Sequence, residues 1–364
     1  MRIIYHFQNE ISNFIYTSRY IGFNPSLIQG GGGNTSYKLD DHQMIIKASG
    51  YNLKDITFVD GYSLVDYQKI RNDIFNPSQN NFYLDKNNFD YIIKNDELAN
   101  LRPSVETGFH AVLKKSTIHS HSIYSNLINC CVSSEQLFYE IFTDYPELVE
   151  ATHLLPYIQP GNVLSLEIAN LLTEADHNRD FIIIFLKNHG LIVSCEDNQK
   201  CIEIHDLVNK IIADYFDINN LKICQKLKQN PSGIFISKTN IISQLFETAE
   251  KEIFYQKLFK DCKKHSLYPD QLVYLEQLKV INNTPSKLNY DSIKATLDFS
   301  KHELKYYCNE NMANAIDETI ASVFLITSIL KKHNLEINYM NQQAVKFIMN
   351  WEQEKYRKKI SSKQ

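Results

Sequence analysis

Two β-rich runs meet at a short polar turn in the stretch Phe181-Ile182-Ile183-Ile184-Phe185-Leu186-Lys187-Asn188-His189-Gly190-Leu191-Ile192-Val193-Ser194-Cys195. Branched and aromatic side chains favour strands, and Asn188 with Gly190 favours a tight turn between them. The pattern predicts an antiparallel hairpin made of Phe181–Leu186 and Leu191–Cys195. His189 lies in the turn, from which a side chain can reach the end of a sheet.

A further strand is predicted upstream at Thr117–Ser122, and it contains His119 and His121. Side chains at i and i+2 of a strand leave from the same face, so the two imidazoles can bind one metal ion. His189 is the best candidate for a third ligand, which would leave one position open for a substrate. The pair alone is weak evidence, because the chain has 12 histidines and ordinary strand residues would look the same.

The segment Arg102-Pro103-Ser104-Val105-Glu106 precedes a run with helical spacing of apolar residues. Ser104 is predicted to cap that helix. Glu106 then lies near the helix N-terminus, where a carboxylate is stabilised. Beside a metal it can act as a ligand or as a general base. A carboxylate that only compensates the helix dipole is the alternative, and the sequence pattern alone favours it.

Four consecutive glycines occur in Gln29-Gly30-Gly31-Gly32-Gly33-Asn34-Thr35-Ser36. Glycine permits positive φ angles and close approach of a ligand to the main chain. The backbone N–H groups and short polar side chains of this loop suit a phosphate. The loop is neither a Walker loop nor a dinucleotide fingerprint, because no GK[ST] follows and the next residues resemble a strand. A flexible entry to the strand pair Ser36–Leu39 and Met44–Ala48 remains the alternative.

The composition describes a folded chain of 364 residues with 43% hydrophobic residues, long enough for one large domain or two ordinary ones. A formal net charge of -4 argues against nucleic acid as a partner. Seven cysteines without a CxxC motif indicate free thiols in a reducing cytoplasm. No signal peptide is recognisable, and no apolar run approaches the roughly 18 residues of a membrane span.

Strands and helices alternate along the chain, which predicts an α/β or α+β fold with helices on both faces of one sheet. The predicted helices include one that closes the first part at Asn198–Phe216, and residues 70–98 are expected to form a surface excursion. A polar stretch after residue 224 is the expected domain boundary. Beyond it the patterns predict a helix at Ile242–Lys264, a possible strand at Gln271–Leu275, and helices at Asn311–Lys331 and Asn341–Lys359.

Five segments in chain order resemble motifs of the class II aldolase/adducin family, which includes fuculose- and rhamnulose-phosphate aldolases. They are Gly33-Asn34-Thr35-Ser36, Lys47-Ala48-Ser49-Gly50 followed by Leu53, Arg102–His110, Ile118–Ser122 and Lys187–Leu191. Five motifs in order over about 160 residues are far more specific than any one of them. Tyr268-Pro269-Asp270-Gln271 and Asn350–Arg357 also resemble the C-terminal extension of longer bacterial members.

The resemblance implies an α/β fold of the α/β/α class II aldolase type, with a central, largely antiparallel sheet flanked by helices. Residues 1–224 would form the catalytic domain and residues 225–364 a mainly helical extension. By the same resemblance, the metal would be Zn2+ or another divalent ion, with Glu106 as the acid/base. The expected metal ligands are His119, His121 and His189, and the expected phosphate-binding residues are Asn34, Ser49, Gly50 and Ser104. Val105 replaces a hydroxyl residue that sugar-phosphate aldolases often carry, which leaves the substrate open.

The implied activity is an aldolase that cleaves or forms a ketose phosphate through a metal-stabilised enediolate, with dihydroxyacetone phosphate and an aldehyde as the products of cleavage. A pentulose-phosphate 4-epimerase and a sugar-acid phosphate dehydratase or decarboxylase are alternatives on the same site. A non-catalytic, adducin-like interaction domain would lack the histidines and the glutamate. The family also implies a homo-oligomer, a tetramer, with a small phosphorylated sugar as the partner and neither nucleic acid nor membrane.

Overall fold

A seven-stranded sheet holds the five motifs together in the computed structural model, which describes residues 3–76, 90–282 and 293–351. Its strands are β1 Asn34–Lys38, β2 Gln43–Lys47, β3 Tyr62–Asp66, β4 Ser116–Ser120, β5 Thr152–Leu155, β6 Phe181–Leu186 and β7 Gly190–Cys195. Their order is β3-β2-β1-β4-β7-β6-β5. Every neighbouring pair is antiparallel except β5 and β6, so the predicted largely antiparallel sheet is confirmed.

Helices of very different length surround this sheet. In the first part of the chain they are α1 Ile3–His6, α2 Gln8–Gly22, α3 Tyr67–Phe75, α4 Thr107–Val112, α5 Ile123–Asn129, α6 Ser134–Ile141, α7 Pro146–Glu150, α8 Asn162–Leu171, α9 Glu174–Asn178 and α10 Asn198–Tyr215. In the second part they are α11 Ala249–Lys260, α12 Pro269–Leu275, α13 Glu310–Lys332 and α14 Gln342–Asn350. Short 3₁₀ turns occur at Leu53–Asp55 and Ile242–Phe246.

The two faces of the sheet pack into two separate apolar clusters. In β6, Ile183 and Phe185 join one cluster, whereas Ile182, Ile184 and Leu186 join the other. This alternation follows from the two-residue period of a strand. The first cluster includes buried residues of α2, α5 and α10, and the second includes residues of α3, α4 and α8. Helices therefore cover both faces, and the predicted α/β fold is confirmed.

The predicted hairpin is present, with β6 and β7 paired from Phe181 and Cys195 to Leu186 and Gly190. Asn188 adopts a positive φ of 53° in the turn. A Cβ on Gly190 would lie 2.3 Å from the carbonyl oxygen of Ser120, so only glycine lets this turn pack against β4. The close packing carries His189 to the end of the strand that bears His119.

The second part of the chain adds a five-stranded sheet that the sequence patterns did not predict. Its order is β10-β11-β12-β9-β8, with the strands β8 Leu227–Gln229, β9 Phe235–Ser237, β10 Leu278–Ile281, β11 Ala295–Asp298 and β12 Glu303–Tyr306. These strands are three or four residues long, too short to show a clear period. Helical residues still outnumber strand residues in this described part, in agreement with a mainly helical extension.

The possible strand at Gln271–Leu275 is wrong, because these residues belong to helix α12. Pro269 occupies the first turn, where proline favours helix initiation, and all seven residues of the helix are buried. A short apolar run that is buried on every side looks the same in a strand and in a helix. The helix predicted at Ile242–Lys264 also differs, since a 3₁₀ turn precedes α11, which Thr248 caps by accepting from the backbone of Lys251.

The long helix α13 confirms the prediction for Asn311–Lys331. Its mean hydropathy of 1.4 and its length would allow it to cross a membrane, but 89% of the relevant window is buried inside the protein. Such burial is what the central helix of a folded core shows.

The first apolar cluster contains residues from both sides of position 224, so the two parts share one core. The domain boundary itself stays a prediction.

Two predicted segments fall partly outside the described residues. The last predicted helix agrees with α14 as far as Asn350, and residues 352–359 lie outside the described ranges. The expected surface excursion at residues 70–98 begins with the end of α3, and residues 77–89 also lie outside them. All seven cysteines lie within the described residues, and each is a free thiol.

Candidate metal centre

Three histidines from different parts of the chain converge at one end of the seven-stranded sheet. His119 is in β4, His121 lies one residue beyond the end of that strand, and His189 is in the β6–β7 turn. All three are buried, and one ring nitrogen of each lies within 4.8 Å of the corresponding nitrogens of the other two. The Nε2 atoms of His119 and His121 are 3.3 Å apart. The predicted ligand set is therefore assembled.

A hydrogen bond on the far side of the His119 ring fixes which of its nitrogens faces the cluster. Nδ1 of His119 lies 3.1 Å from the carbonyl oxygen of Leu191, which can only accept, so Nδ1 carries the proton. The Nε2 lone pair of His119 then points to the other histidines. Burial, followed by repulsion from His189 and His121, lowers the pKa of His119 well below its usual value. Neutral imidazole is the form that binds a metal.

Glu106 completes the cluster with a carboxylate that is 6% exposed. Its Oε1 lies 3.5 Å from Nε2 of His189 and its Oε2 lies 3.6 Å from Nε2 of His119. Three imidazole nitrogens and one carboxylate are a donor set that suits Zn2+ or a similar divalent transition metal. These residues therefore fit the metal that the family resemblance implies.

Helix α4 places Glu106, although the cap differs from the prediction. Glu106 itself occupies the N-cap position, and the helix starts at Thr107 rather than directly after Ser104. Ser104 still supports this turn, because its Oγ lies 3.3 Å from the backbone nitrogen of Glu106 and its carbonyl accepts from Thr107. The carboxylate is thus near a helix start, as expected.

A chain of hydrogen bonds leads from β1 to the carboxylate of Glu106. Ser36 Oγ is 2.7 Å from Nδ1 of His110, and Nε2 of His110 contacts Oδ1 of Asn34. The Asn34 amide then donates to Oε2 of Glu106 over 2.7 Å. Burial, with a smaller effect of Lys38, lowers the pKa of His110 to about 3, so its ring is neutral. Ser36 therefore donates to the ring, and the ring's N–H fixes the orientation of the Asn34 amide.

The four residues expected at the phosphate line the same cavity as Glu106, His121 and His189. They are Asn34, Ser49, Gly50 and Ser104. Asn34 faces His119 across the β1–β4 pair, and its amide also lies 3.2 Å from Ser104 Oγ. Lys47 lines this cavity too and is 3% exposed, with Nζ 3.1 Å from the carbonyl oxygen of Gly31. Lys47 lies two residues before Ser49 in the motif Lys47-Ala48-Ser49-Gly50, and that proximity is the one sequence signal for its place in the cavity.

The glycine loop does not present its first N–H groups to a ligand, contrary to the expectation. Gly30 donates to Glu318 over 2.7 Å and Gly31 donates to the hydroxyl of Tyr274 over 2.8 Å. Gly32 donates to the carbonyl oxygen of Gln29 over 3.0 Å. Both side-chain acceptors come from the C-terminal extension. The extension, rather than a substrate anion, therefore accepts from Gly30 and Gly31.

Asp270 is a further residue of the centre that sequence reasoning missed. Its Oδ2 lies 2.5 Å from Nδ1 of His121, and Asp270 is 0% exposed. In sequence, the segment Tyr268-Pro269-Asp270-Gln271 resembles only the C-terminal extension of longer family members. No periodicity connects it with a histidine 149 residues earlier.

Comparisons with known proteins identify the family of this chain. Residues 13–213 match the model of the Class II Aldolase and Adducin N-terminal domain. An uncharacterized oxidoreductase, YuxG of Bacillus subtilis, is 27% identical over 203 residues, which is 52% of this chain and 27% of that protein. A 3-oxo-tetronate 4-phosphate decarboxylase of Haemophilus influenzae is 23% identical over 202 residues, which is 53% of this chain and 81% of that one.

Among solved structures, the N-terminal class II aldolase domain of a conserved protein from Thermoplasma acidophilum is similar. It has 25% sequence identity and a TM-score of 0.45, and the match covers 57% of this chain and 93% of that one. The family model covers more than half of the chain and includes every residue of the histidine and glutamate cluster. This chain therefore belongs to the class II aldolase and adducin family.

Proposed function

We propose that this protein is a metal-dependent lyase that cleaves or forms a carbon–carbon bond of a phosphorylated ketose. His119, His121 and His189 would hold the metal, Zn2+ or a similar divalent ion. The observation that carries the proposal is the convergence of three buried imidazoles beside a buried carboxylate, with Glu106 at 3.5 and 3.6 Å from two of the rings. A domain used only for protein interactions has no need of this arrangement.

The bound metal would supply Lewis-acid stabilisation of the negative charge that develops on the substrate's carbonyl oxygen. Glu106 moves the proton at the adjacent carbon, since it is the carboxylate that lies beside the metal ligands. The Asn34 amide holds Oε2 of Glu106 in place at 2.7 Å. The burial of both side chains keeps bulk water away from the carboxylate.

The phosphate end of the substrate would lie against Ser49, Gly50 and Ser104, with Asn34 bridging from Ser104 to Glu106. Lys47 adds a buried cationic side chain to the same cavity. A buried ammonium group favours an anionic substrate, and it compensates for the hydroxyl that Val105 lacks. Cleavage would give dihydroxyacetone phosphate and an aldehyde.

A decarboxylase is the second candidate, because the Haemophilus influenzae relative carries that name and matches over 81% of its length. Loss of carbon dioxide beside a carbonyl group and aldol cleavage develop negative charge at the same position, so one site can serve both. A pentulose-phosphate 4-epimerase would use the same bond cleavage followed by re-formation on the other face.

The test combines metal analysis with a substrate panel. The purified protein is expected to hold about one divalent ion per chain. Dihydroxyacetone phosphate with a set of aldehydes, a 3-oxo-tetronate phosphate and a pentulose phosphate are then offered separately, and products are identified by mass spectrometry. Consumption of the first pair supports the aldolase. Release of carbon dioxide alone would replace the aldolase assignment with the decarboxylase, and epimerisation alone would replace it with the epimerase. A protein that binds no added divalent metal would refute the proposal.

His189→Ala is expected to lose both metal and activity while it keeps its fold. His153→Ala is the matched control, since His153 is also paired with a carboxylate, Asp176, but does not line the site cavity. Retained metal binding in His189→Ala would contradict the ligand assignment.

We also propose, on the family resemblance, that the protein is a cytoplasmic homo-tetramer. Light scattering coupled to size-exclusion chromatography would test the oligomeric state.

A further inference from the structure

Asp270 contacts a metal-ligand candidate from a part of the chain that follows the family's catalytic domain. The matched family region ends at residue 213, and Asp270 lies in the first turn of α12. Its Oδ2 is 2.5 Å from Nδ1 of His121, and both residues are buried. A carboxylate can only accept here, so Nδ1 carries the proton and Nε2 keeps the lone pair that faces His119.

The glycine loop is shaped to leave room for this pair. A Cβ on Gly32 would lie 2.2 Å from Oδ2 of Asp270 and 2.8 Å from Nδ1 of His121. Contacts below 3 Å of this kind are essentially absent from folded proteins. Any side chain at position 32 would therefore push the carboxylate and the imidazole apart. The glycine is required by the pair, since its own backbone has no positive φ.

The extension anchors the loop at the two positions directly before Gly32. Tyr274, on the helix that carries Asp270, accepts from Gly31, and Glu318 of α13 accepts from Gly30. A Cβ on Gly30 would lie 2.8 Å from the Cβ of Ala315 and 2.9 Å from the ring of Tyr274. Loop and extension thus fit each other closely, and this fit holds α12 in position beside His121.

We propose that Asp270 is a positioning residue of the metal centre, which fixes the ring orientation and tautomer of His121, and that the C-terminal extension is thereby part of the centre. This inference rests on the proposed metal-binding function and names a role for the extension in it. A carboxylate behind a ligating imidazole raises its basicity and holds its plane toward the metal. Asp270 acts through His121 and needs no contact with substrate.

The experiment measures metal affinity rather than activity alone. Metal-free wild type, Asp270→Asn and Asp270→Ala are titrated with Zn2+ in competition with a chromophoric chelator, and the visible spectrum of the Co2+ form reports the coordination. Asp270→Asn is expected to weaken Zn2+ binding about 10–100-fold, because the amide keeps the shape but loses the charge. Asp176→Asn is the matched control, since Asp176 is a buried carboxylate 3.0 Å from His153. It should leave the metal affinity unchanged.

A double-mutant cycle separates positioning from general damage to the fold. In the His121→Ala background, whose residual Zn2+ binding is measured at high metal concentration, Asp270→Asn is expected to cause no further loss of affinity, because the ring on which it acts is gone. An equal loss in both backgrounds would overturn the inference, as would wild-type affinity in Asp270→Asn. Melting temperatures of all variants identify any that do not fold. If Asp270→Asn does not fold, Asp270→Ala takes its place in the cycle. A wild type that binds no Zn2+ would instead refute the proposed function.

Discussion

At the scale of single residues, the metal centre depends on positions where a side chain is absent. Gly32 and Gly190 each lie against the ligand cluster, with Gly190 packed on Ser120 and on the rings of His119 and His121. Glycine runs are usually read as flexible or as phosphate-binding. At these two positions the lack of a Cβ serves packing, because imidazoles and a carboxylate fill the space.

Gly32→Ala is expected to weaken Zn2+ binding at least as much as Asp270→Asn does, because the new methyl group would displace both partners of the His121–Asp270 pair. Chelator competition measures the affinity. Gly233→Ala is the control: its φ of 80° strains an alanine by about 1 kcal/mol, but no atom lies within 4 Å of the added Cβ. It should lower the melting temperature and leave metal binding intact. Unchanged affinity in Gly32→Ala would contradict the packing argument.

His110→Phe is expected to lower kcat more than it changes KM, and to leave Zn2+ affinity unchanged. The substitution removes the N–H that fixes the Asn34 amide, so Glu106 loses its oriented donor. The folded state should also lose about 1–3 kcal/mol, because buried Ser36 and Asn34 lose a partner. Steady-state kinetics and urea denaturation measure the two effects. A variant with wild-type kcat would show that Glu106 needs no such support.

At the scale of elements, the strand and helix patterns predicted the first part well. The β6–β7 hairpin is marked by two β-rich runs around an Asn-His-Gly turn, and α13 by a long run of helical spacing, so local sequence determined them. Helix α12 was misread because its full burial comes from distant segments, and the strands β8 to β12 were missed because three or four residues show no clear period. In the centre, the three histidines and Glu106 were predicted through ordered motifs. Asp270 and Lys47 were not, because only the folded chain shows what they contact.

Helix α13 introduces a buried carboxylate whose ionisation opposes folding. Burial raises the pKa of Glu318 to about 7; Asp317 adds to the rise, and Lys54, the Gly30 N–H and Gln225 oppose it. A raised pKa means that this group's stabilising contribution is complete below pH 4.5 and is lost as the pH rises through 7.

Relative to Glu318→Gln, the free energy of unfolding of the wild type is expected to fall by about 3 kcal/mol between pH 4.5 and pH 8. Urea denaturation of both proteins over this pH range measures the difference. Glu247→Gln provides the control, because Glu247 is exposed and paired only on the surface with Lys251. If the free energies of unfolding of the wild type and Glu318→Gln change in parallel with pH, ionisation of Glu318 does not destabilise the folded state.

At the scale of the whole molecule, the extension and the catalytic part share one apolar core. Helix α13 packs on α5 and α12, and 17 of its 23 residues are buried. Removing it would expose this surface to water at a cost of roughly 25 cal/mol per Å². A chain that ends at residue 224 is therefore expected to aggregate or to unfold without a cooperative transition, as judged by calorimetry. A soluble fragment with wild-type melting behaviour and Zn2+ affinity would show that the extension is dispensable.

The separation of 149 positions in the chain between His121 and Asp270 has a consequence for the order in which the centre is synthesised. A chain emerges from the ribosome N-terminus first, at about 5–20 residues per second. All three candidate ligands are synthesised seconds before the carboxylate that contacts one of them, so a metal ion captured early would be expected to exchange. On the proposed role of Asp270, full Zn2+ affinity is expected only once α12 has docked. A chain that terminates before α12 is accordingly expected to hold Zn2+ more weakly than the full-length protein.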